Sequence, residues 1–405
     1  MNTKLLSVLS CGILVFLIAC SNGNTDQETD SDNTTLELWH YYNGDSEEIL
    51  ADNIEAFNSQ HDIQIKAQYI PYNELYQQVS VAIAGGNLPD IILLDTVWNS
   101  AFAATNSLAD ISSHMEEWGH IDDFYEGPLQ SAVYDDKYYG VPYTSNLAVL
   151  YYNKELLHEA GLDSPPNDWS ELKESAMQLT NEEQAGVGMS AAKSENGTFA
   201  FLNFVLSAGA NYDSLDTPEA KEALTYLNSL IEDGSMNADV VNLPQDDITK
   251  LFAEEKIAMM VNGSWDIGTV ESLNPDLDFG VTFVPKDKEY ASATGGENWT
   301  IVEGEHVDEA WEFVKWMSEP EKMSEANIEI GNIPPRTDVE LHLEDKPHLE
   351  QASELMDAAI PRGPSPYWPD ISEEIQTAYQ SVFTDTAEPE EALKKAAEAI
   401  QATIK

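Results

Sequence analysis

Little in this sequence is arranged for covalent chemistry. The eight histidines form no His-Glu-x-x-His run. Their two closest pairs, His114/His120 and His342/His348, have five residues between them and no acid or cysteine pattern to fix a metal. No Gly-x-Ser-x-Gly elbow occurs. Gly186-Val-Gly188-Met-Ser-Ala191 imitates a dinucleotide fingerprint, but it follows the polar run Asn181-Glu-Glu-Gln184 rather than a strand and is taken as chance. What the residues offer is recognition. Nine Trp supply flat apolar faces, and Asp95 is a carboxylate placed to accept from ligand hydroxyls. The chain uses only two arginines, Arg336 and Arg362, each in a Pro-rich break, where a planar fork of donors can hold two oxygens at once.

Positioning such groups requires cores, and the 405-residue chain can build them: 42% of its residues are hydrophobic, despite a net charge of −54. That charge, 73 acids against 19 Lys and Arg, excludes binding to nucleic acid through a basic patch and suits a surface hydrated in saline or alkaline medium, as in a halophilic or alkaliphilic bacterium. The length predicts two or three domains. Residues 1–19 read as an export leader: Lys4 precedes an apolar run from Leu5 to Leu17 that ends Leu17-Ile-Ala-Cys20 and resembles a lipobox. Cys20 is then the acylated first residue of the mature chain. Residues 20–34 form an acidic tether with nothing to bury.

Periodicity supplies the elements. Thr35–His40 alternates as a strand, and Ser46–Phe57 carries a helical stripe with Ser46 as its cap. A strand follows at Asp62–Ile70. Tyr72–Ile83 is a helix closed by Gly85-Gly86, and Asp90–Leu94 is a buried strand. This order predicts a parallel α/β sheet with helices on both faces and a ligand crevice beyond the strand ends His40-Tyr41-Tyr42 and Asp95-Thr96-Val97-Trp98. Helices are expected near Trp169–Leu179, Phe199–Ser207, Pro218–Ile231 and Asp247–Phe252, strands at Lys256–Val261 and Phe279–Val284, then the Gly-containing stretch Thr294–Ile301, and helix after that, apart from breaks at Gly331–Arg336 and Pro361–Pro369.

Five motifs then stand in order: Leu-Pro-Asp-Ile-Ile-Leu-Leu-Asp (88–95), Tyr-Gly-Val-Pro-Tyr (139–143), Leu-Tyr-Tyr-Asn-Lys-Glu-Leu-Leu (150–157), Ala-Met-Met-Val-Asn-Gly-Ser-Trp (258–265) and Ser-Pro-Tyr-Trp-Pro (365–369). Together they resemble the extracellular sugar-binding lipoproteins of ABC importers, solute-binding protein family 1, relatives of maltose-binding protein. The resemblance implies a two-lobed periplasmic-binding-protein-like α/β fold, each lobe a sheet flanked by helices. On that pattern the N-lobe is 35–144 plus 298–332 and the C-lobe 145–297 plus 333–405, with three hinge crossings near Thr144–Leu147, Thr294–Asn298 and Ile330–Arg336. It implies a monomer without enzymatic activity, cofactor or metal. Anchored through Cys20 to the outer face of the cell membrane, it would close on a mono- or oligosaccharide and pass it to ABC permease subunits.

Sorted against that fold, Trp265 and Trp368 fall in motifs that carry the family's stacking platforms. Trp98 and Trp299 follow strands or lie in Gly-rich loops and are candidates for cleft or interlobe packing. Trp39 fits core or cleft equally, whereas Trp118, Trp169, Trp311 and Trp316 read as structural. Asp95, Tyr41, Tyr143, Asn146, Gly295, Gly296 and Asn298 complete the ligand candidates. Arg362 is expected to donate to sugar hydroxyls or an acidic ligand, the alternative being a bidentate bridge to one of the abundant acids, and Arg336 to form a structural interlobe ion pair. The alternatives are a surface glycoside hydrolase, a sugar-sensing or adhesion lipoprotein, and a receptor for an acidic ligand such as a glycerol phosphate or uronide.

Overall fold

The computed structural model describes Thr34–Lys405; the leader, Cys20 and the segment up to Asn33 lie outside the described residues. The alternating residues at the start of this span form parallel strands, with β1 (Thr35–His40) between β2 (Gln64–Tyr69) and β3 (Ile91–Asp95). Their two-residue period places Leu36, Leu38 and Leu93 against the helices Asp45–Gln60, Val307–Met317 and Pro320–Ile330. Trp39, Ile92 and Leu94 face the opposite layer, with helices Tyr72–Gly85 and Thr96–Ala103. Helix Asp45–Gln60 starts on Gly44 rather than on the expected Ser46 cap. No side chain caps it, and Asp45, Glu47 and Glu48 in the first turn complement its dipole instead. Helix Tyr72–Gly85 ends on left-handed Gly86, as its glycines predict.

After a hairpin of β4 (Val133–Tyr134) and β5 (Lys137–Tyr138), and the short β6 (Val141–Pro142), the chain enters a second sheet. There β7 (Asn146–Asn153), β8 (Ala185–Met189), β9 (Ile257–Gly263), β10 (Phe279–Thr282), β11 (Ser292–Gly295) and the late β13 (Ala359–Pro361) take the order β13-β11-β7-β9-β8, with β10 beside β7. The glycines of the apparent fingerprint lie within β8. A Cβ on Gly186 would stand 1.9 Å from the Ala176 carbonyl oxygen, so its absent side chain lets helix Trp169–Leu179 close on the sheet. The chain then returns through β12 (Glu297–Ile301), which slots antiparallel between β3 and β6. The first sheet is therefore mixed, β2-β1-β3-β12-β6, rather than wholly parallel, because one strand arrives from the far half of the chain.

The segments between the sheets lie side by side and bond one another. The amides of Tyr143 and Thr144 donate to the Glu297 carbonyl at 2.8 and 3.3 Å, and Ser145 and Ile333 exchange backbone bonds at 2.8 and 2.9 Å. Arg336, at the end of the third segment, does not bridge the sheets as expected. Its buried guanidinium is bidentate to Asp338 (2.8 and 2.6 Å), lies 3.5 Å from Asp123 and packs over Trp118 and Phe124, all at the first sheet's end of the molecule. The His120, Asp123 and Asp338 ligand atoms, close enough to hold a metal ion, surround this arginine and lie away from the cleft.

Gly296 sits where two of these segments touch, with φ of 134° and the Thr144 carbonyl oxygen 2.1 Å from where a Cβ would stand. Gly296→Ala is therefore expected to lower stability by about 2–4 kcal/mol. The check is thermal unfolding of both proteins, and an unchanged melting temperature would refute this account of the junction.

Candidate functional site

A cleft of about 520 Å³ opens between the two sheets, at the carboxyl ends of β1 and β3. The turn after β1 brings in Tyr41 and Tyr42, the end of β3 brings Asp95, and the start of helix Tyr72–Gly85 brings Tyr72. From the second sheet come Asn146 at the start of β7, Glu195 and Phe199 at the start of helix Glu195–Ser207, Gln245 at the start of helix Gln245–Ala253, and Trp265 and Asp266 in the turn after β9. Gly296, Glu297, Asn332 and Arg362 reach it from the connecting segments and from β13's end.

Three buried carboxylate clusters line this space. Glu297 accepts from Tyr41 Oη at 2.7 Å, Tyr42 Oη at 3.2 Å and the Thr144 hydroxyl. Burial pushes its pKa up to about 7, against the pull of these donors, and Asp95, its cross-strand neighbour, adds to the rise. Asp266 Oδ2 accepts from Thr249 Oγ1 at 2.8 Å and Asn262 Nδ2 at 2.7 Å; burial likewise pushes it up to about 7. The third cluster centres on Arg362. Its Nη1 binds Glu195, its Nη2 lies 3.5 Å from Asp95, and its Nε donates to the Thr294 carbonyl at 3.2 Å. Phe199 lies under the guanidinium, with its ring centre 4.9 Å away. Burial raises the Glu195 pKa, although Arg362 works against it.

Aromatic faces flank the carboxylates. Trp265 is partly buried, 5.2 Å from the Phe199 ring, and Tyr41 meets Tyr72 edge-on at 5.0 Å. Such pairing of flat apolar surface with hydrogen-bonding groups fits a ligand that has C–H faces and hydroxyl edges.

Of the residues singled out from sequence, Tyr41, Asp95, Asn146, Trp265, Gly296 and Arg362 line the cleft. The others stand behind its walls. Trp98 stacks beneath Tyr72 at 5.0 Å instead of meeting the cleft. Trp368 has no exposed surface, because it opens helix Trp368–Phe383 with its ring turned into the core and its Nε1 donating to Glu195 at 3.2 Å. Trp299 and Tyr143 pack on each other at 4.8 Å within the first core. Asn298 is buried against Ser131 and Asn99. Gly295 makes room for Arg362, whose Nη2 would lie 2.5 Å from a Cβ there. Trp39 is core, 7% exposed. Glu297, Asp266, Tyr72, Phe199, Gln245 and Glu195 escaped the sequence reading. Glu297 lies between candidates Gly296 and Asn298, and Asp266 follows candidate Trp265, so adjacency was a usable signal. Glu195 had none, being one acid among 73.

Comparison with known proteins agrees with this architecture. Residues 53–356 match the model of the bacterial extracellular solute-binding protein family. The chain belongs to that family. An arabinooligosaccharide-binding protein of Halalkalibacterium halodurans is 25% identical over 409 residues, covering 92% of this chain and 90% of that one. An sn-glycerol-3-phosphate-binding periplasmic protein of Pectobacterium atrosepticum is 23% identical, with 90% of each covered. Among solved structures, an ABC transporter solute-binding protein from Thermotoga lettingae bound with α-D-tagatose superimposes with a TM-score of 0.84 at 27% identity, covering 92% of this chain and all of that one. The fold is the two-lobed one of solute-binding proteins. The family is extracellular or periplasmic, and its members are binding proteins rather than enzymes.

The raised pKa values carry a sign for stability. An acid whose folded pKa lies above its unfolded one holds a proton in the folded state that the unfolded chain has already released. Stability from Glu297 is thus present below about 4.5 and lost as pH rises to about 7, at a cost of roughly 3 kcal/mol. Glu297→Gln is expected to flatten the fall in melting temperature between these limits. Parallel profiles for the two proteins would contradict a proton held at Glu297.

Proposed function

We propose that this chain is the capture component of an ABC importer: it takes a mono- or oligosaccharide between its lobes and hands it to permease subunits in the membrane, without covalent chemistry of its own. The observation that carries this reading is the cleft itself, where Tyr41, Tyr72, Phe199 and Trp265 present rings beside the buried groups of Asp95, Asp266 and Glu297. Relatives and neighbours named for sugars support it. On this reading Tyr41, Asp95, Asn146, Trp265, Gly296 and Arg362 surround the ligand, and the lobes 35–144 plus 298–332 and 145–297 plus 333–405 close on it by bending at the three connecting segments. The chain works as a monomer tethered by acylated Cys20 to the outer face of the membrane.

A glycan panel read by calorimetry, with product analysis after prolonged incubation, tests the capture role. Stoichiometric binding without turnover is expected, together with a smaller radius of gyration in solution scattering; released product would identify a glycoside hydrolase, and an unchanged radius at saturation would refute closure. Trp265→Ala is expected to weaken the bound sugar by about ten- to a hundredfold, the usual loss for a truncated aromatic anchor. For the anchor, Cys20→Ser is expected to release the protein into the medium or periplasm. Retention of that variant in the membrane fraction would rule out Cys20 as the attachment point.

A further inference from the structure

Several acceptors in the cleft lining have no partner of their own. Asn146 Oδ1 and Asn332 Oδ1 are buried in its lining without a partner among the described residues, and both hydrogen bonds to Asp266 among those residues go to Oδ2, leaving Oδ1 for a ligand. Gln245 Nε2 is an orphaned donor among them. A lining of this kind asks its ligand for O–H or N–H groups. Hydroxyls supply them; an ionised carboxylate or a fully ionised phosphate monoester group only accepts.

Both cations of the lining are already paired with acids. Lys250 is exposed and pairs with Asp247 at 3.1 Å. Arg362 is the arginine an anion would need, and its counter-charges are fixed in place. Asp95 takes Tyr72 Oη at 2.8 Å and, as cap of helix Thr96–Ala103, the Val97 amide at 3.1 Å. Glu195 binds Arg362 through Oε1, while its Oε2 takes Ser372 Oγ at 2.5 Å and Trp368 Nε1 at 3.2 Å. Neither carboxylate can swing aside to yield the guanidinium without abandoning buried partners.

We propose that Glu195 sets the charge class of the ligand: by holding Arg362 from the second lobe it reserves the cleft for uncharged polyols and bars sugar phosphates and uronates. The proposal rests on the carbohydrate-capture reading and goes beyond it by assigning the discrimination to one side chain that need not touch the sugar. Arg362 keeps N–H groups beyond those facing Thr294, Glu195 and Asp95, and with its charge already balanced by two fixed carboxylates these suit a hydroxyl or ring oxygen rather than a further anion.

The test uses the full-length protein, its Glu195→Gln and Asp95→Asn variants, and calorimetry with inorganic phosphate, glucose 6-phosphate and glucuronate beside the neutral glycan panel. Wild type is expected to give no heat with the three anions. Glu195→Gln is expected to bind at least one of them about tenfold or more tighter than wild type, and added salt should weaken that new binding. Wild-type binding of an anion as tightly as its neutral counterpart overturns the proposal but leaves carbohydrate capture standing. Anion binding with no neutral sugar bound overturns both. A folded Glu195→Gln, judged by its melting curve, that gains no anion also overturns the proposal. If that variant fails to fold, Asp95→Asn decides by the same criterion.

Discussion

The guanidinium of Arg362 joins the two sheets at the floor of the cleft, touching Asp95 from the first and Glu195 from the second. A buried cation is tolerated only where fixed anions and acceptors replace the water it has lost, and breaking such a pair by removing one partner leaves a charge with no compensation. Much of the neighbourhood follows from that requirement. Asp95 must end its strand as a helix cap, and Glu195 must be tied by Trp368 and Ser372. Position 295 must lack a side chain to let the guanidinium in. Thr294 supplies the carbonyl for Nε from the same strand. Lysine, a point charge on a flexible stem, could not meet three acceptors in one plane.

The acids of this protein divide into two populations with different physics. Most are solvated on the surface, where each gains little from any partner and their sum keeps the chain hydrated. A few are buried at the cleft, and Glu297 and Asp266 there are held by hydroxyls and an amide, with no cation paired to them among the described residues. Burying them disfavours the charged form and costs stability at neutral pH, which a scaffold optimised for stability alone would avoid. Held in place before any ligand arrives, these acceptors need no reordering on binding, and the entropy of arranging them has been met during folding.

The connecting segments show how a two-sheet molecule can be joined without a long apolar seam at the cleft. Tyr143, Ser145, Glu297 and Ile333 bond through their backbones, and Gly296 takes a conformation closed to other residues. Behind them the helix Trp368–Phe383 packs against helix Thr96–Ala103, so one apolar core runs from the second sheet to the back layer of the first. That contact leaves the cleft side free while holding the far side together.

Element positions were legible in the sequence because periodicity is local: the alternation of Thr35–His40 and the stripe of Trp169–Leu179 record which face of each element meets a core, whatever that core is. The crevice at the ends of β1 and β3 was legible for the same reason, and it placed Tyr41 and Asp95 correctly on the cleft lining. The antiparallel entry of β12 was not, since pairing between distant strands leaves no local trace. Nor could the sequence separate Trp265, which lines the cleft, from Trp98, Trp299 and Trp368, which do not: a tryptophan beside a strand end or a proline has the same neighbours in sequence whether its ring turns outward or inward. The sequence by itself determined many of the elements, among them β1, β3, β9 and helix Trp169–Leu179, and the chemical types available to a binding crevice, but not strands β8, β11, β12 and β13. Tertiary structure alone decided which carboxylates face one arginine, because Asp95, Glu195 and Arg362 meet only after two sheets have packed, and burial, which makes that meeting matter, is a property of the packed molecule.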